Sequence, residues 1–76
     1  MNKKDLIFKL ELAKSKESKL NFIIILDNST KIGLRNSKEI TDNFFDGNPI
    51  NFKLMFKTIL EKFPDVEVRK NIIKYK

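Results

Sequence analysis

Lys53 and Lys57 stand four residues apart, and Arg69, Lys70 and Lys74 crowd around Tyr75 near the end of the sequence. Basic side chains beside an aromatic ring can track a phosphate backbone and stack a base, so these five cations are the candidate nucleic-acid-binding residues. Asp42 and Asp46 are also four apart, which on a helix puts two carboxylates on one side. Two such ligands fall short of the about six oxygens that Ca²⁺ or Mg²⁺ takes, and we expect no metal there. The chain has no His and no Cys, which removes the commonest general base, the thiol nucleophile and the usual zinc ligands. None of its serines sits in a nucleophile-elbow or Ser-x-x-Lys context, and two glycines are too few for a phosphate-cradling loop. The expectation is a protein that is not an enzyme, with no cofactor and no small-molecule substrate.

The charge balance sharpens the nucleic-acid question. Lys and Arg number 16 against 10 Asp and Glu, a net +6 on 76 residues, but 14 of the 16 are Lys. Arg is the residue that forks onto phosphates and guanine edges, and it is almost unused. Residues 27–46 carry a net charge of −1 and residues 47–76 a net +4, so the largest share of the excess lies in the last thirty residues. Pro64-Asp65-Val66-Glu67-Val68-Arg69-Lys70 is similar in letters to the Pro-Asp and Asp/Glu-x-Lys motif of a nuclease superfamily. There the two halves lie on separate strands, whereas here they overlap, so no nuclease site is assigned. A helix-turn-helix built around Gly47 fails as well, because Asp42 and Asp46 would approach the phosphates.

Length leaves room for a single domain, residues 1–76. Leu6, Phe8, Leu10 and Leu12 alternate with Ile7, Lys9, Glu11 and Ala13, which predicts a strand, and Ser15–Ser18 a hairpin loop. Residues 20–27 predict a central strand, and residues 31–35 a third one with Gly33 at a bulge. Residues 36–46 predict a short helix ended by Gly47. Asn48 and Pro49 then open a long amphipathic helix on which Phe52, Met55, Phe56, Ile59, Leu60 and Phe63 form the apolar stripe and which Pro64 stops. Alternation resumes from Val66. The expected fold is α+β, βββααβ: an antiparallel sheet of about four strands with one long amphipathic helix and a short second helix on one face.

That fold has more apolar surface than one helix covers. With Leu6, Phe8, Phe22, Ile24, Leu26 and Val68 facing the long helix, Ile7, Ile23, Ile25, Ile73 and Tyr75 lie on the opposite sheet face, and Ile50 and Leu54 project from the outer helix face. These seven are the candidate partner or dimer surface. The alternative is that residues 36–46 fold over it with Phe44 and Phe45. Met1-Asn2-Lys3-Lys4 begins like a signal peptide, but Lys9 and Glu11 break the apolar stretch, and the longest apolar run, Phe22 to Leu26, is too short to span a membrane. Asn28-Ser29-Thr30 then reads as a turn rather than a glycosylation site. We expect a cytoplasmic, non-membrane protein-binding module, with a homodimer as one form of it and nucleic-acid binding as the alternative. The Lys-, Asn- and Ile-rich composition resembles that of accessory proteins of phages and mobile elements in AT-rich hosts. That resemblance implies inhibition of a host protein or complex by contact.

Overall fold

The computed structural model describes residues 3–64. It corrects the expected α+β architecture: the described residues form four helices and no strand, α1 (Lys3–Ser15), α2 (Lys19–Thr30), α3 (Leu34–Phe44) and α4 (Phe52–Lys62). The two N-terminal strands expected at residues 6–13 and 20–27 lie inside α1 and α2. The third, at 31–35, is the turn into α3 and its first two residues. The strand expected from Val66 onward lies outside the described residues.

The buried positions show why helix replaces strand. In α1 they are Leu6, Leu10 and Ala13, in α2 Phe22, Leu26 and Thr30, spacings of three and four that belong to the helical period. Leu6 and Leu10 fit either period, being four apart. Phe8 and Leu12 separate the two, and both are exposed. Lys, Leu, Glu and Ala, all good helix formers, dominate α1. In α2 the run Ile23-Ile24-Ile25 is unfavourable for a helix at the level of propensity, and burial of Phe22 and Leu26 outweighs it.

The helix ends are made by local hydrogen bonds. Beyond α1, Ser18 N–H donates to Ala13 O (2.9 Å) and Glu17 N–H to Lys14 O (2.9 Å), with Glu17 left-handed at φ 53°. This paired pattern is a Schellman closure, with Glu where Gly is usual. Ser18 then caps α2, its Oγ accepting from Asn21 N–H at 3.3 Å. At the other end of α2, Lys31 is left-handed at φ 57° and its N–H donates to Asp27 O (2.7 Å), while the Asp27 carboxylate accepts from Gly33 N–H at 2.8 Å. Gly33 stands at φ 97°, a conformation open to glycine almost alone, so it serves the α2–α3 corner and not a bulge. Gly47 follows α3 as expected, its N–H donating to Phe44 O (3.1 Å). The cap of α4 is Asn51, whose Oδ1 accepts from Leu54 N–H at 3.0 Å, rather than Asn48.

The core gathers Leu6, Leu10 and Ala13 of α1, Phe22 and Leu26 of α2, Ile40 of α3, Met55, Phe56 and Ile59 of α4, and Ile32, Phe45 and Ile50 from the connections. Phe22 and Phe45 meet edge to face with centroids 5.3 Å apart. Lys14 reaches across from α1, donating to Phe45 O at 2.6 Å with its ammonium 4.8 Å from the Phe45 ring centroid. The connection after α3 is thereby tied to α1. No helix among the described residues is long and apolar enough to cross a membrane.

Candidate functional site

α1 and α2 are joined by only three residues, so they run antiparallel side by side. On α1 the residues turned away from the core are Phe8 and Leu12, one helical turn apart, exposed by 67% and 45%. On α2 they are Leu20 and Ile24, again one turn apart, exposed by 67% and 40%. The two rows meet where Leu12 and Ile24 line a shared pocket of 180 Å³, together with Ala13, Ile25, Asn21, Lys9 and Lys16. That volume suits one large apolar side chain. Phe8 and Leu20 extend the apolar exposure of each helix by one turn beyond that pocket.

The charges around this face are sorted. Asp42 of α3 binds two lysines, Lys38 one turn earlier (2.8 Å) and Lys19 of α2 (3.0 Å), and Glu39 faces Lys62 of α4 at 3.7 Å. Hydrogen bonds from Lys38 first, then Lys19, hold the Asp42 carboxyl below the usual carboxylate range, and the bond to Asp42 raises Lys19. The acidic groups of α3 are thus engaged within the chain. Lys3, Lys9, Lys16, Lys53 and Lys57 form no ion pair among the described residues. Both charged side chains lining the α1–α2 pocket, Lys9 and Lys16, are basic.

The chain matches no protein-family model, no curated protein and no solved structure.

Among the seven residues expected at a partner surface, Leu54 is exposed on α4, Ile7, Ile23 and Ile25 are half-buried, and Ile50 is buried in the core. Ile7 and Ile25 pack against the core cluster, as does Phe44. Ile73 and Tyr75 lie outside the described residues. The exposed face is instead Phe8, Leu12, Leu20 and Ile24, all four of which the strand phase turns inward with Leu6, Phe22 and Leu26. The helical period finds them: once Leu6, Leu10, Phe22 and Leu26 are the buried set, positions two residues away point to solvent. Among the basic residues, Lys53 and Lys57 are exposed and share a groove of 420 Å³ with Lys3, Phe56, Leu60 and Glu61. Lys3 is the member of that group that sequence spacing did not reveal. Arg69, Lys70 and Lys74 lie outside the described residues. Asp42 is held by Lys19 and Lys38, Asp46 lies beyond the end of α3 at Phe44, and no group of three potential metal ligands exists among the described residues.

Proposed function

We propose that the protein is a non-enzymatic protein-binding module that takes an amphipathic, acid-flanked helix of a partner protein onto its α1–α2 face. The observation that carries this is the pocket that Leu12 of α1 and Ile24 of α2 share, with Phe8 and Leu20, one turn away on the same two helices, exposed as well. Such a pair offers a third helix a groove, with apolar anchors three and four residues apart as the contact. One anchor fills the pocket between Leu12 and Ile24. Lys9 and Lys16, both without an ion pair among the described residues, select carboxylates on the incoming helix. The same two lysines argue against a second copy as occupant, since a two-fold axis through the pocket would bring four ammonium groups together.

Two synthetic helical peptides test this, each with leucines at positions i, i+3 and i+7, one flanked by glutamates and one by lysines. Calorimetric titration is expected to show binding of the glutamate peptide only. Phe8→Ser with Ile24→Ser should abolish it, with the helical circular dichroism unchanged. Equal binding of both peptides, or of neither, refutes the proposal. So does sedimentation of the unliganded protein as a dimer that Phe8→Ser with Ile24→Ser dissociates, which would assign the face to a second copy.

A further inference from the structure

We infer that the groove between the start of α1 and the outer face of α4 is a second, separate site, one that holds the phosphate backbone of a single-stranded nucleic acid. Its lining is Lys3 from α1 and Lys53, Phe56, Lys57, Leu60 and Glu61 from α4, around a volume of 420 Å³. Lys53 and Lys57 are one helical turn apart, an arrangement that sets like charges against each other. Lys3 adds a third cation from a different helix. None of the three is in an ion pair among the described residues, although α3 shows that this chain pairs its lysines where it has acids to spare. Glu61, one helical turn beyond Lys57, also lines the groove, which leaves three cations against one carboxylate. An anion with charges repeated along its length relieves the repulsion at all three lysines together.

The groove also distinguishes the kind of nucleic acid. Its floor is the half-buried Leu60, with the core residue Phe56 beneath it, apolar surface that a duplex, with its bases turned inward, leaves uncovered. A single strand can turn one unpaired base onto Leu60 while its phosphates meet the lysine rim. The site lies on a different flank of α1 from the α2 pocket: Lys3 and Lys9 are six residues apart, which turns them about 120° from one another around the helix. It is therefore physically distinct from the helix-docking face.

The test is fluorescence anisotropy of a labelled 20-nucleotide oligo(dT) against the full chain between 50 and 200 mM salt. Each phosphate contact contributes about 0.7 to the slope of log K against log salt on single strands. Lys53→Gln with Lys57→Gln should make that slope shallower by about 1.4, so that the gain in affinity from 200 down to 50 mM salt shrinks about sevenfold. Lys3→Gln alone should remove about 0.7. Lys31→Gln with Arg35→Gln, an equal loss of charge at the α2–α3 corner, should leave the slope as it was. Arg69, Lys70 and Lys74 are constant across the set, so differences between variants report on the groove. The inference is overturned if oligo(dT) does not bind at 50 mM salt, or if the corner variant lowers the slope as much as the groove variant. It is also overturned if a duplex of the same length binds as tightly through the same lysines.

Discussion

Phe8 and Leu10 are two residues apart in α1, and exchanging each for alanine separates a helix from a strand in solution. In a strand they would share one face and cost similar amounts when truncated. In α1, Leu10 is fully buried and Phe8 is 67% exposed. Truncating a fully buried leucine removes its transfer free energy and leaves a cavity, together about 2–5 kcal/mol. For Phe8, only about a third of the side chain is out of water, so the about 3–5 kcal/mol of a core phenylalanine falls to roughly 1 kcal/mol, and the better helix propensity of alanine reduces it further. A chain of this length has about 4–11 kcal/mol of stability in all, so Leu10→Ala should approach the limit of folding while Phe8→Ala is barely felt. Urea unfolding followed by circular dichroism at 222 nm reads this directly. With a slope of about 1 kcal/mol per molar urea, the Leu10→Ala midpoint should fall by about 2–5 M and the Phe8→Ala midpoint by about 1 M or less. Costs equal to within about 1 kcal/mol, or a larger cost for Phe8→Ala, would refute the helical placement of the α1–α2 face and everything built on it.

Two further outcomes follow from the helix ends and the ion pairs. Glu17→Gly places the residue that tolerates φ 53° at the closure of α1, and should raise stability by about 0.5–1 kcal/mol in the same urea assay, the left-handed strain relieved exceeding the added freedom of the unfolded chain. Asp42 has its pKa lowered in the folded state, so its contribution is present above the unfolded carboxylate value and is lost as pH falls through the lower folded one. The urea midpoint should therefore decline below about pH 4, and Asp42→Asn should flatten that decline.

The sequence reading went furthest where one period alone fitted. Met55, Phe56 and Ile59 make sense only as a helix, and α4 lies where its stripe and Pro64 put it, although the cap moved three residues on, to Asn51. Gly47 marked the end of α3 for the same local reason. In α1 and α2 the pattern was ambiguous because the outer face is apolar as well as the inner one. Leu6, Phe8, Leu10 and Leu12 alternate only because two of them serve the core and two serve solvent or a partner. The stops between helices were hidden too, since Glu17 and Lys31 hold left-handed positions where glycine would have announced a helix end. The surplus of apolar surface was legible as a quantity. Its location was not, because a change from period 2 to period 3.6 turns a different set of residues outward. Lys53 and Lys57 could be found by spacing, but Lys3 joins them only through the meeting of α1 with α4.

The lysines beside the α1–α2 pocket also govern how the protein behaves as a colloid. In dilute buffer the +6 charge keeps copies apart and so shields a face that would otherwise be adhesive. Around 1 M salt the screening length shrinks to about 3 Å, shorter than the lysine side chains themselves, and that shield is gone. If the groove holds a phosphate backbone as proposed, salt acts in opposite senses on the two surfaces of α1: it would strip phosphate from the α4 side and promote clustering on the α2 side. Conditions chosen to clear nucleic acid from a preparation are the ones in which the apolar face is least guarded.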